Sequence, residues 1–486
     1  MSSASTNLDK SLMHGVAWTA AVQWLTQILS WSATPILWAV LGPANYGIVA
    51  MAMVFTMFIE MASDFGMAQA VVKHHELTPH QIAQVNSLCV LFGLAGWAIG
   101  CATAYPIALI YDVPALTAVV VVSSSSFLFS AFRSVPLALM QRDLQFKEIA
   151  RNQAVNGTVQ PAAMILFAVV FRLGYWSLVF GAVLAAMVTS WLAVRMRPTP
   201  FAWPRLADLR GVLSFGSHMI GMRFSYYLTT ASDLFIAGKL FGIAGVGAYQ
   251  GALNIAAMPA EKISGLAMRV MPPIISAVQH DARQLRRYIL AFTEIVSLVT
   301  VPAGVGLALV AADILNAWLP DWAPAIVPLQ VLALAGIQRS TLPIIPSTAA
   351  MIGLSRVSMR ISVWCSVLMP IAFVVGAWYW DIAGLAYAWL FVYPIFCVPY
   401  YVVVFRQIEM PTGTFLRSLL PAVTSAALMA AAVLLAHHFV YPTATPGIRA
   451  IADAAIGAAT YGLALITFHR GRLVAMKDFY RTMRSA

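Results

Sequence analysis

Between Leu41 and His74 the chain reads LGPANYGIVAMAMVFTMFIEMASDFGMAQAVVKH. A helix breaker, Gly42-Pro43, precedes about 27 mostly apolar residues and a basic end, and at about 1.5 Å per residue such a run crosses a bilayer. Two carboxylates, Glu60 and Asp64, sit inside it four residues apart, hence on one helical face, with Thr56 and Ser63 on the same side. A carboxylate facing hydrocarbon costs several kcal/mol, so this face is expected to look at protein or at a water-filled cavity.

The stretch recurs. From Phe241 the chain reads FGIAGVGAYQGALNIAAMPAEKISG, again a glycine turn and an apolar helix, with Glu261 and Lys262 at mid-depth. Gly42 and Gly47 return as Gly242 and Gly247 at a constant offset of 200. Related halves with polar groups near the midplane are a common transporter plan.

Composition agrees. Of the residues, 61% are hydrophobic and 10% charged, with mean hydropathy +0.81, against about 25% charged in soluble proteins. We expect an all-α polytopic membrane protein with about fourteen transmembrane helices, two pseudo-symmetric six-helix lobes and two C-terminal helices. The spans fall at roughly 14–41, 45–72, 80–110, 114–140, 149–171, 174–195, 209–238, 243–273, 284–311, 323–349, 357–379, 382–405, 414–437 and 446–468. The N-terminal lobe is 1–195 and the second lobe 209–405. A proline-interrupted cytoplasmic linker, 196–208, lies between them, and 406–486 adds the last two spans and a basic amphipathic tail. The first apolar run is too long for a signal-peptide core and reads as an uncleaved helix.

Charge placement orients the chain. Alternate connections hold 21 Lys and Arg on one side and 3 (Arg172, Lys239, Arg449) on the other, which puts both termini in the cytoplasm. The formal +11 net charge is thus explained by anionic inner-leaflet lipid, not nucleic acid. The four cysteines lie within apolar spans without CxxC spacing and read as packing residues. The histidines read as surface residues, and no metal or cofactor is expected. The connections are too short for a soluble catalytic domain, and no G-x-x-x-x-G-K-[ST] is present. Asp112, Asp313, Asp321, Asp381 and Asp453 read as isolated single acids, which argues against an enzyme.

Ten ionisable residues remain at depth: Arg133, Arg223, Lys262, Arg269, Arg339, Glu60, Asp64, Asp233, Glu261 and Glu294. Such groups are expensive in a membrane and mark pathways. Each has a plainer reading too. Arg133 and Arg269 could snorkel to headgroups, Asp233 could pair with Lys239 or a helix terminus near the outer surface, and Glu60 and Asp64 could pair across a lobe interface with Arg223 or Lys262. Arg223 has Tyr226, Tyr227 and Thr230 on its side of the helix, a surface suited to a hydrated or sugar-bearing ligand.

LGPANYG followed by DFGMAQAVVK resembles the second helix of the Wzx-like oligosaccharide flippases of the multidrug/oligosaccharidyl-lipid/polysaccharide exporter superfamily. Gly15-Val16-Ala17-Trp18 opens the first helix as in that family. RSVPLALMQRDLQFKEI, from Arg133 to Ile149, is similar to its connection between the fourth and fifth helices. The resemblance is to the branch of the colanic-acid exporters. It implies two helix bundles and alternating access without ATP. It also implies translocation of undecaprenyl-diphosphate-linked oligosaccharides across the bacterial inner membrane for exopolysaccharide, capsule or lipopolysaccharide synthesis. On this chain it makes Arg223, Arg339, Lys262 and Arg269 diphosphate candidates. Glu60, Asp64, Asp233, Glu261 and Glu294 become ion-coupling or lobe-interface candidates, and Arg133, Tyr226 and Tyr227 further cavity residues. The implied partners are the lipid-linked oligosaccharide, membrane lipids and a polysaccharide polymerase complex, with a monomeric transporter. An ion-coupled multidrug or cation antiporter of the same superfamily is the alternative; it favours a net-acidic cavity, whereas the later spans here lean basic.

Overall fold

The computed structural model describes residues 2–64, 67–73, 76–205, 209–279, 281–342, 344–440 and 444–472. Every regular element among them is helical: α1 (Ser2–Asp64), α2 (Met67–Lys73), α3 (Pro79–Tyr111), α4 (Ala115–Arg142), α5 (Phe146–Ile165), α6 (Trp176–Met196), α7 (Arg210–Val278), α8 (Ala282–Trp318), α9 (Ile326–Thr341), α10 (Ile344–Met351), α11 (Ser355–Tyr387), α12 (Tyr393–Gln407), α13 (Thr412–Phe439) and α14 (Pro446–Phe468). Single π-helical turns, Leu166–Val170 and Ala388–Val392, extend α5 and join α11 to α12. Of the amphipathic tail expected from Arg470 to Ala486, residues 473–486 lie outside the described residues.

Among the described residues, eleven helical runs are long and apolar enough to span a membrane. The difference from the fourteen expected spans sits in three runs, Ser32–Met61, Tyr227–Pro259 and Val357–Gln407, each reaching into two expected spans and each containing a break. α1 has 63 residues, about 95 Å if straight, three times the hydrocarbon thickness. It turns at Gly42, with φ 65° and ψ 171°. That conformation is essentially restricted to glycine, and Pro43 then begins the next helical stretch with φ already set. α7 repeats the device at Gly242, φ 68° and ψ −168°. An added Cβ at either glycine meets nothing within 4 Å, so backbone conformation, not space, selects glycine there.

The chain divides into two compact units, one of residues 1–227 and 241–247, the other of residues 228–240 and 248–486. In the first, Met67 and Val71 of α2 pack with Ile82, Val85 and Leu88 of α3 and Val135 and Leu139 of α4. α3 opens on a reciprocal cap: Thr78 Oγ1 accepts from Gln81 N (3.2 Å) and Gln81 Oε1 from Thr78 N (2.9 Å). The extended segment after α6 is pinned to that helix, since Asn86 Nδ2 donates to the carbonyls of Thr199 and Pro200 (both 3.2 Å) and Ala202 N donates to Ser87 Oγ (3.1 Å).

In the second unit, Leu285, Ile289 and Phe292 of α8 join Ile345, Val404, Phe405 and Phe415 in one core. Further along α8, Leu298 and Val301 pack on Ala422, Ala426 and Met429 of α13. Tyr461 of α14 donates to the Leu298 carbonyl at 2.7 Å. Asp281 caps α8, accepting from Arg283 N (2.9 Å) and Gln284 N (3.1 Å). Outside these cores the helices present large apolar side chains, among them Trp378, Phe439 and Ile451, as lipid-facing surfaces do.

Candidate substrate and coupling sites

In the first unit α4 offers one stripe. Phe127, Ser130, Ala131, Ser134, Leu137, Ala138 and Gln141 recur at intervals of three and four and line a cavity of about 310 Å³ with Glu60 and Gln69, Cys89 and Gly93, and Arg133. Small side chains hollow it: α3 approaches α4 so closely at Gly93 that a Cβ there would lie 2.5 Å from the Ala131 methyl. Arg133 is half-buried, donates from Nη1 to Thr189 Oγ1 at 3.1 Å, and interacts electrostatically with Glu60. Two charges expected on separate grounds thus lie near enough to interact electrostatically. Tyr227 donates to the Val54 carbonyl and packs on Phe58, with ring centroids 5.5 Å apart.

In the second unit Asp233 does not pair with Lys239. It is fully buried and accepts three hydrogen bonds, from Trp389 Nε1 (2.8 Å), Tyr249 Oη (3.0 Å) and Leu234 N (2.7 Å). Three donors offset much of the desolvation of a buried carboxylate. Arg339 lies over the same indole, its Cζ 4.6 Å from the ring centroid. Stacking fixes the plane of a guanidinium without consuming its N–H donors, and among the described residues no side chain or carbonyl accepts from them. Gln338, beside it, anchors α9 to the π-helical turn by donating to the carbonyls of Trp389 (2.9 Å) and Leu390 (3.1 Å).

Glu294 is buried on α8 and faces Arg472 at 3.7 Å, an ion pair that ties the end of the last span to α8. The side chains of Asp64, Arg223, Tyr226, Glu261, Lys262 and Arg269 lie outside the described residues.

Two groupings escaped the sequence reading. One is the Trp389–Tyr249 pair around Asp233. The other is a network of α8, α13 and α14, where Arg449 Nη2 meets Asp313 Oδ1 at 2.9 Å, Arg449 Nη1 meets His437 Nε2 at 3.4 Å, and His437 Nδ1 meets Asp453 Oδ2 at 3.4 Å. Asp313 and Asp453 are buried and His437 is half-buried with its side chain partly exposed, so these acids are not isolated and this histidine is engaged at the edge of the network. Ligand atoms of the two acids and the histidine lie within 4.8 Å of one another, but Arg449 already supplies the cation. Only the stripe on α4 carries a local sequence signal, its three-and-four spacing.

A helical chain with repeated spans, a glycine-broken helix at equivalent points of two halves and charged groups held inside each unit defines a polytopic membrane protein built like a transporter. Residues 36–327, more than half of the chain, match the family of polysaccharide biosynthesis proteins, and the chain belongs to it. It is 25% identical to the succinoglycan biosynthesis transport protein ExoT of Rhizobium meliloti (strain 1021), over 98% of this chain and 97% of that one. It is 23% identical to the lipopolysaccharide biosynthesis protein WzxC of Escherichia coli (strain K12), over 83% and 82%. Its fold is that of the lipid II flippase MurJ in an inward closed conformation, with TM-score 0.75 and 12% identity over 94% of this chain and all of that one. A multidrug resistance MATE family transporter in an inward-facing conformation gives 0.66 and 14% over 79% and 94%.

Proposed function

We propose that this protein moves undecaprenyl-diphosphate-linked oligosaccharide units from the cytoplasmic to the outer leaflet of a bacterial inner membrane. Movement is by alternating access, for exopolysaccharide, capsule or lipopolysaccharide assembly. Family membership and the names of full-length relatives support the substrate class. The observation that carries the mechanism is Arg339, a guanidinium oriented by Trp389 in an apolar unit with its donors turned to no protein acceptor among the described residues. A phosphate in low dielectric is held well by such a fork. Arg223, Lys262 and Arg269 are further cations for the same diphosphate.

Asp233, linked to Arg339 through one indole, is the coupling carboxylate of this reading, and Asp64 and Glu261 are others. Glu294 serves structure through Arg472. The protein works as a monomer with both termini in the cytoplasm, hands its product to a polymerase and catalyses no covalent step. The N-terminal lobe ends at about residue 195 and the second at about 405, followed by two accessory spans.

Reconstitution tests this. Purified protein in liposomes is expected to expose fluorescent undecaprenyl-diphosphate glycan to an external glycosidase faster than protein-free liposomes do. Equal rates overturn the reading. A multidrug antiporter would instead export cationic dyes from the same liposomes.

A further inference from the structure

We infer that the groove along α4 in the first unit is a binding subsite for an uncharged sugar of the glycan, separate from the diphosphate site. The inference rests on the flippase reading for its substrate but is argued from the groove itself.

Its length comes from the stripe. Phe127 to Gln141 covers 15 residues, about 21 Å of helix from first to last, from an apolar inner end at Phe127 to the last turn of α4. Its depth comes from Gly93, Ala131 and Ala138, which leave about 310 Å³ between α4, α3 and the second half of α1. That volume stands at the lower edge of the range for small-molecule pockets, about 300–1,000 Å³.

Charge decides the ligand class. The groove holds one carboxylate, Glu60, and one guanidinium, Arg133, already interacting with each other. Arg133 also gives one donor to Thr189. A phosphate entering here would meet Glu60 as well as Arg133, and like charge in low dielectric is repulsive. The remaining polar lining is neutral and two-sided: the hydroxyls of Ser130 and Ser134, and the amides of Gln69 and Gln141. Each of these groups both donates and accepts, as sugar hydroxyls do. Ser134 spends its proton on the Ser130 carbonyl at 3.0 Å, which leaves its oxygen to accept. An inorganic anion, a lipid phosphate or a cationic drug matches this lining less well than a polyol does.

The position suits loading. Arg142, Lys147 and Arg151 mark the α4–α5 connection as cytoplasmic by the charge rule, and Gln141 stands at that end. A glycan presented from the cytoplasm would enter the groove while its diphosphate is held elsewhere.

Direct binding tests it. The full chain in lipid nanodiscs is titrated with undecaprenyl diphosphate and with undecaprenyl diphosphate bearing one glucose or one galactose. The wild-type protein is expected to bind a hexose-bearing lipid at least about tenfold tighter than the bare one, a difference two hydrogen bonds supply. Ser134→Leu fills the groove and removes the acceptor, and Gln141→Leu does the same at the exposed end, where folding is not at risk. Each is expected to collapse the preference while leaving the Kd for undecaprenyl diphosphate unchanged. Glu60→Gln is expected to leave that Kd unchanged as well. Three outcomes overturn the subsite. One is no sugar preference in the wild type; another is a preference that both leucine variants keep. The third is tighter binding of bare undecaprenyl diphosphate by Glu60→Gln, which would make the groove an anion site. All three leave the flippase reading standing. Failure to bind any of these lipids overturns both.

Discussion

Gly47 and Gly247 take equivalent places against each other's helical stretch. A methyl group on Gly47 would fall on the backbone carbonyl of Ile243, and one on Gly247 would fall on that of Pro43, Ile243 being the counterpart of Pro43 at the same offset of 200. The repeat seen in the sequence is therefore a repeat of contacts, with a glycine turn at Gly42 and Gly242 and a close crossing five residues later.

This crossing gives the first prediction. Gly47→Ala and Gly247→Ala each place a Cβ on a carbonyl that cannot rotate away, and each is expected to cost at least the upper end of about 1–3 kcal/mol. Gly42→Ala meets no atom within 4 Å and is expected to cost about 1–3 kcal/mol through its backbone conformation alone, without the added steric overlap of the other two. Thermal unfolding in detergent should rank Gly42→Ala above both. Equal midpoints for all three would show that the crossing is not tight.

The same pair shows what a sequence discloses. Span ends were legible because apolar runs have sharp edges in polarity: 114–140 was expected and Ala115–Arg142 found, 446–468 expected and Pro446–Phe468 found. The helix breaks at Gly42 and Gly242 were legible from a glycine repeat at fixed offset. The break at Trp380–Asp381, where Asp381 takes φ 55°, fell between two expected spans but has no glycine or proline to announce it. Partners were not legible. Trp389 stands 156 positions from Asp233, and Asp453 lies one helix beyond His437, so no periodicity links them. Arg133 and Glu60 each stand out in the sequence as charges at depth; that they interact depends on helix packing, which side-chain spacing along a single helix does not encode.

The buried carboxylate gives the second prediction. Trp389→Phe keeps a ring under Arg339 but removes one of three donors to Asp233. The loss is expected to be about 1–3 kcal/mol, with Tyr249→Phe similar because its hydroxyl is the second donor. Denaturation of each variant against wild type measures it. A neutral Trp389→Phe would mean that Asp233 does not rely on the indole.

The network of the last two helices gives the third. Arg449→Met leaves Asp313 buried beside a second acid, and breaking such a pair from one side costs about 3–5 kcal/mol. The double variant Arg449→Met/Asp313→Leu removes both charges and should recover most of that loss. Additive losses would show that the two residues act independently.

The fourth concerns pH at the start of α8. Hydrogen bonds from Gln284, backbone first and then side chain, hold the Asp281 carboxyl below its usual range, with Arg283 adding to the effect. The folded value lies below the unfolded one, so the cap's contribution is complete above the ordinary carboxylate range of about 3.9 and fades as pH falls through the folded value. Asp281→Asn, which can still accept from the helix N-terminus, should therefore lose less stability between neutral and acid pH than wild type does. Matched thermal scans at the two pH values check this, and parallel losses would contradict it.

The most direct measurement is the leaflet in which the lipid-linked glycan resides when the protein is depleted from its host and replaced by Arg339→Ala at normal membrane levels. The account predicts accumulation of the undecaprenyl-diphosphate glycan on the cytoplasmic face in both cases, with recovery by the wild-type chain. If the intermediate reaches the outer leaflet normally without the protein, translocation of this lipid is not its work.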